Sequence, residues 1–195
     1  MRVELRDVAK GRALESTSAA FETGEVTLAC AETEQRPTIL GLLASGRMRP
    51  DAGTVAIDGR ADAGLIRRRV ALVDAPDVSA PDADLPVPGV VAEELMFAGR
   101  GSDPLSVRRW LRDRGFADIQ GATIGTVAPA RRIRLLLELA VLRDGVEGLV
   151  VVSPDRHGGD PLEWRAVAAD FAARGFAVLL IAGVAARSAL EGGSR

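Results

Sequence analysis

The sequence predicts an α/β fold: a mostly parallel sheet with antiparallel strands near the N-terminus and a short helical insert. Three observations predict it. Residues 148–152 and 177–181 are fully apolar and alternate with helical segments, so they read as central strands covered on both faces. Residues 3–8 alternate apolar and charged side chains, as a strand wetted on one face does. Between about 87 and 145 the pattern is mainly helical.

Each element follows in order. After the strand at 3–8, Ser18, Ala19, Ala20 and Phe21 lead into the turn signal Glu22-Thr23-Gly24. Residues 25–30 are short, apolar and partly β-branched, and are expected to be a buried strand. Polar residues 32–36 are expected as a loop. Pro37 then serves as first helical residue, where the missing N–H costs nothing, and Gly46 ends the helix. Residues 49–53 turn, 54–57 form a strand closed by Asp58-Gly59, and 70–73 form another short strand. Residues 74–88, rich in Asp, Ala and Pro, are expected as a loop. Residues 90–97 and 105–114 are helical by period. In 131–142, Leu135, Leu136, Leu139 and Leu142 make one apolar face, the mark of an amphipathic helix. Beyond the strand at 148–152 come a helix at 161–173, the strand at 177–181 and a last helix at 184–190. The chain reads as one domain, 1–195, with the helical insert at about 87–145 and no internal repeats.

Composition bounds the function. An apolar fraction of 47% suffices for a core, and a formal net charge of -2 gives no global pull toward nucleic acid. The single cysteine, Cys30, allows no internal disulfide framework and fits a reducing compartment; with one histidine, His157, a structural zinc site is not expected. No apolar run approaches the ~18 residues of a membrane span, and the opening residues lack a signal-peptide core. A soluble cytoplasmic domain is expected. Lys10 is the only lysine, so chemistry that needs a lysine anywhere else is closed.

The order of these punctuation points resembles the ATP-binding-cassette (ABC) ATPase family. That family has a strand opening on Gly-Glu, then a phosphate-binding loop and helix, and here Gly24-Glu25 leads through residues 26–30 to a helix at 38–43. A family stretch, Pro-Asp-x-Gly-x-Val-x-Ile-x-Gly, matches Pro50, Asp51, Gly53, Val55, Ile57 and Gly59 at every defined position. The arginine-bearing apolar helix, the apolar strand and the Asp160-Pro161 step follow in family order. The resemblance covers nearly the whole chain and implies a P-loop NTPase-like, ABC ATPase-like fold.

The family's chemistry is another matter. Its phosphate loop wraps phosphate with glycine N–H groups, reaches it with a lysine and holds magnesium with Ser or Thr. Here the stretch is Cys30-Ala31-Glu32-Thr33-Glu34-Gln35-Arg36-Pro37-Thr38. It has no glycine, Glu32 and Glu34 put negative charge where phosphate would sit, Arg36 takes the lysine position, and Pro37 removes a donor. Only Thr38 matches. The Asp-Glu pair expected after the apolar strand is Ser153-Pro154, with Asp155 two positions off. The signature before the apolar helix reads Val127-Ala128-Pro129-Ala130-Arg131, without glycine. Asp74 replaces the family's glutamine and Gly183 its histidine. The adenine-stacking aromatic near Arg12 is missing, and there is no tyrosine. Asp160, in the family's subunit-contact loop, matches.

The expected function is a non-catalytic ABC ATPase-like subunit, a partner or regulatory component of a membrane transporter complex. No catalytic residue and no metal site is expected. Arg36 and Thr38 are the vestigial phosphate-loop residues and Asp160 the subunit contact. No cofactor is expected; ATP and magnesium enter only under the alternative, a residual ATP-binding protein or weak ATPase energising a transporter. A second alternative is an adaptor or scaffold domain unrelated to transport. The resemblance implies a membrane permease subunit or another ABC ATPase subunit as partner, or a homodimer, with no nucleic acid. It also implies a cytoplasmic place, peripheral at the inner face of the plasma membrane, with a docking surface around residues 74–97. Structural roles are expected elsewhere. Arg36 is read as a surface arginine paired to a glutamate, Thr38 as a helix N-terminal residue and His157 as a loop residue. Arg131, Arg132 and Arg134 are read as a solvated helix face. Cys30 is read as capping a buried strand, and Trp110 and Trp164 as half-buried packing residues.

Overall fold

The N-terminal alternation carries one fault, and the fold corrects it. Val3 and Leu5 are two apart, but Val8 comes three residues after Leu5, which would turn it outward in a regular strand. A bulge absorbs the extra residue: the register shifts between Leu5 and Val8, Asp7 has φ of 50°, and all three apolar side chains are buried. This strand is β1 (Arg2–Lys10), followed by β2 (Leu14–Glu22), β3 (Val26–Cys30), α1 (Gln35–Ala44) and β4 (Ala52–Ile57). Next come α2 (Ala63–Arg69), β5 (Val70–Val73), α3 (Val87–Phe97), α4 (Pro104–Asp113) and α5 (Pro129–Ala140). The chain closes with β6 (Gly148–Val152), α6 (Pro161–Ala173), β7 (Ala177–Ala182) and α7 (Val184–Gly192). The computed structural model describes residues 1–32 and 35–192.

The strands form two sheets. One is antiparallel, in the order β2-β1-β4; the other is parallel, in the order β3-β7-β6-β5. Strands β5, β6 and β7 are buried on both faces, and their alternate residues serve two cores. Val150, Val152, Leu179 and Ile181 pack with Leu40 and Leu43 of α1 and with Val3, Leu5 and Phe21 of the antiparallel sheet. Leu149, Val151, Val178 and Leu180 pack with Leu135 and Leu139 of α5 and with Trp164 and Phe171 of α6. Helix α1 thus lies between the two sheets, and Gly41 is what lets it approach. A Cβ there would stand 2.6 Å from Val152 Cγ2 and 3.1 Å from Leu72 Cδ1.

The Pro50–Gly59 stretch has a local reason for its pattern. Gly53 has φ of 77°, and a Cβ on it would lie 2.3 Å from the carbonyl oxygens of Arg6 and Asp7, on the bulge of β1. Asp58 and Gly59 both have positive φ and close a two-residue turn, with Ile57 and Arg60 exchanging backbone hydrogen bonds.

Several expectations need correction. Helix α1 begins at Gln35, inside the stretch expected as a loop, so Pro37 sits within the first turn, where N–H groups lack intrahelical partners anyway. Strand β3 is only half-buried at Val26, Thr27, Leu28 and Cys30, because it pairs on one side only, with β7. Helix α2 was not anticipated. Its signals are an Asp62 cap that accepts from Leu65 N at 2.8 Å and one buried anchor, Ile66. Trp164 is fully buried, whereas Trp110 is half-buried as expected and stacks on Phe116 at 6.1 Å. Glu34 and Thr33 lie outside the described residues.

The insert is fastened to the core by a second buried carboxylate. Glu138 of α5 accepts from Arg114, just past α4, at 2.6 Å and from Arg174, just past α6, at 2.7 Å. Arg174 also lies over the Phe171 ring at 4.2 Å. Among the described residues no helix is long and apolar enough to cross a membrane.

Candidate functional site

Parallel α/β sheets bind ligands outside the carboxyl ends of their strands, where loops and helix N-termini converge. In this chain those ends are Cys30, Val73, Val152 and Ala182. Asp74 follows β5 directly, with φ of 57°, and is 1% exposed, so its carboxylate is withdrawn from water. Arg132 of α5 donates to it from Nη2 at 2.8 Å and from Nε at 3.4 Å. Arg156, in the 3-10 turn Pro154–His157 after β6, donates from Nη2 at 2.9 Å, and His157 Nε2 lies 2.8 Å from Oδ2. A carboxylate offers roughly four lone-pair sites. All are taken here, so none remains for a metal ion or a substrate proton.

Further donors of the two arginines are also spent internally. Arg132 Nη1 donates to the carbonyl of Ile124 at 3.1 Å. Arg156 Nη1 donates to the carbonyls of Asp74 and Val152, the adjoining ends of β5 and β6. Ser153, with φ of 48°, donates its N–H to Ile181 O at 2.7 Å, and Asp155 Oδ2 accepts from Gly183 N at 2.9 Å. The ends of β5, β6 and β7 and the start of α5 are therefore laced together by the chain's own groups.

Burial alone would raise the Asp74 carboxyl. Hydrogen bonds from His157 and Arg132, with the charges of Arg132 and Arg156, outweigh it and hold the group below the ordinary carboxylate value. Two guanidiniums face one carboxylate, and each needs it, since a buried unpaired charge costs several kcal/mol.

The expected site residues do not converge. Arg36 and Thr38 share the first turn of α1 but stand two apart, on different sides of the helix. Arg36 is half-buried, and its carboxylate partner among the described residues is Glu15 of β2, at 3.9 Å. Asp160 caps α6, accepting from Leu162 N at 2.9 Å. Among the described residues no group of three His, Cys, Asp or Glu side chains could hold a metal ion.

Arg132 corrects the reading of a solvated arginine face. It is 3% exposed, while Arg134 is exposed and Arg131 is half-exposed, bonded to Asp118 and lying over the Phe116 ring. Its spacing carried the signal: Arg132 stands three and four residues before Leu135 and Leu136, on the apolar stripe. His157 is more than a loop residue. It and Arg156 lie in the short turn after buried strand β6, Asp74 directly follows β5, and ends of neighbouring parallel strands lie side by side.

No protein-family model and no curated protein matches the sequence. Solved structures match in fold. An ABC transporter ATP-binding protein from Pyrococcus furiosus superposes with a TM-score of 0.64 at 14% identity, over 94% of this chain and 92% of that one. An ATP-binding subunit of an ABC transporter gives 0.59 at 20% identity, over 94% and 80%. The cbiO1 protein of Clostridium perfringens, part of the ABC transporter complex cbiONQ, gives 0.61 at 13% identity, over 93% and 77%. The fold is thus P-loop NTPase-like, of the ABC ATPase kind. Likeness at such identities speaks to fold, and fold alone does not carry a function.

Proposed function

We propose that this chain is a non-catalytic ABC ATPase-like subunit that serves a membrane transporter complex by docking rather than by hydrolysing ATP. One observation carries the reading: on the ligand-binding side of the parallel sheet, the carboxyl ends of β5 and β6 are bridged by Asp74, Arg132, Arg156 and His157. The replaced phosphate loop at residues 30–38 agrees with it.

A docking role has a surface to work with. Between the loop after β5 and helix α3 lies a groove of about 540 Å³, lined by Val78, Leu85, Val90, Phe97 and Leu136 among others. Val78 is 50% exposed and Phe97 63%, with Met96 beside it at 57%. Large apolar side chains gathered in one groove mark interaction sites more often than scattered ones do. Most of the groove's lining lies in the expected docking stretch, 74–97, with Arg47, Leu72, Leu136 and Arg143 contributed from outside it. The occupant proposed here is a cytoplasmic segment of a membrane permease subunit, in a complex with another ABC ATPase subunit or a second copy of this chain.

Photo-crosslinking from position 97, with Leu105 of α4 as control position, tests this in cells. The expected adduct at 97 is a multi-span membrane protein, with none at 105. Adducts only with soluble proteins, or equal adducts at both positions, would count against the reading.

A further inference from the structure

A second feature lies at the other edge of the parallel sheet, by the amino ends of β5 and β6. Arg47, Arg67 and Arg143 meet there. Arg47 and Arg143 line the groove described above; Arg47 and Arg67 line a second of about 530 Å³; Arg67 and Arg143 line a third of about 470 Å³. Each pair shares a groove, so the three stand where the grooves converge.

Their partners are unusual for arginine. Nearby Arg69 is neutralised by Asp58 and Glu147. Arg47, by contrast, donates only to backbone carbonyls, to Ser45 O at 3.1 Å and Val70 O at 3.0 Å, and Arg67 only to Gly46 O at 3.3 Å. The Arg143 side chain makes no hydrogen bond among the described residues, and its Nε is buried without a partner. No carboxylate of the described residues lies within the 4.0 Å of an ion pair from any of the three. Glu94 of α3 acts on Arg143 from farther off, with Glu93 beside it, and Asp144 lines the third groove. Burial, then the charges of Arg143 and Arg67, push the Arg47 guanidinium below its ordinary value, so the three repel one another.

We propose that Arg47, Arg67 and Arg143 bind a phosphate group, carried either by a soluble phosphate compound or by a lipid headgroup. Guanidinium forks match phosphate oxygens in geometry and charge, and a bound anion would relieve the repulsion among the three. The inference stands apart from the docking reading, since it needs neither a permease nor a second subunit.

The purified full chain is titrated with inorganic phosphate and pyrophosphate, and separately with phosphatidylcholine vesicles with and without phosphatidylglycerol. Binding in solution identifies a soluble ligand. Binding only to the phosphatidylglycerol vesicles identifies a headgroup. In either arm Arg143→Gln is expected to weaken binding about tenfold, the loss of one charge-assisted contact. Because Arg143 makes no hydrogen bond and no ion pair among the described residues, the melting temperature of Arg143→Gln should change little. Arg108→Gln, on exposed α4, is expected to bind as the unaltered chain does. Absence of binding in both arms, or equal weakening by Arg143→Gln and Arg108→Gln, overturns the proposal.

Discussion

Asp74 concentrates the chemistry of the strand-end site in one side chain. Asp74→Asn keeps the shape but leaves buried Arg132 without a counter-charge and takes from half-buried Arg156 its ion-pair partner. The expected cost is about 3–5 kcal/mol, read from urea denaturation at pH 7. The pH dependence has a definite sign. The folded pKa of Asp74 lies below its ordinary value, so the stability it contributes is fully present above the unfolded pKa of about 3.9 and is lost as pH falls through the folded one. The gap between the unaltered chain and Asp74→Asn should therefore be widest near neutrality and shrink below about pH 4. A gap that grows on acidification would mean that another group carries the effect. At this scale the sequence was partly legible. The absence of glycine and lysine from residues 30–38 shows in the residue types alone. The network does not, because residues 74, 132, 156 and 157 come together only once the order β7-β6-β5 is known. Arg132 alone betrayed itself, through its place on the leucine stripe.

Elements were legible where burial dictates period. Strands β6 and β7 and helices α5 and α6 were readable because residues covered on both faces, or on one stripe, leave no freedom in the pattern. Helix α2 was missed because it buries a single anchor, Ile66, and ends in Arg67, Arg68 and Arg69, so it shows no apolar stripe. The edge position of β3 was hidden because its composition is that of an interior strand. Two tests belong here. Gly41→Ala pushes a methyl against Val152 Cγ2, a branched side chain with little room to turn, and should cost about 1–3 kcal/mol despite alanine's better helix propensity. An unchanged melting temperature would show that α1 can lift from the sheet. Asp160→Ala should cost about 1 kcal/mol as a lost helix cap, while Asp160→Asn, which still caps, should cost much less. If asparagine restores stability but not assembly with a partner, Asp160 also serves the subunit contact that the sequence implied.

At the scale of the molecule, two cores share one parallel sheet, and two carboxylates, Asp74 and Glu138, tie the insert to it. The fold is like that of ABC transporter ATP-binding subunits, while the ends of β5 and β6 are bridged by the chain's own side chains. A ligand entering between the ends of β5 and β6 would have to break the bonds of Asp74, and opening a buried ion pair on one side costs several kcal/mol. The most direct measurement of this account is a calorimetric titration of the full chain with Mg-ATP. The account predicts no saturable heat up to millimolar nucleotide, and no rise in melting temperature alongside it. Saturable binding near micromolar, abolished by Arg36→Ala, would mean that the loop at residues 30–38 cradles phosphate without glycine or lysine, and the non-catalytic reading would fall.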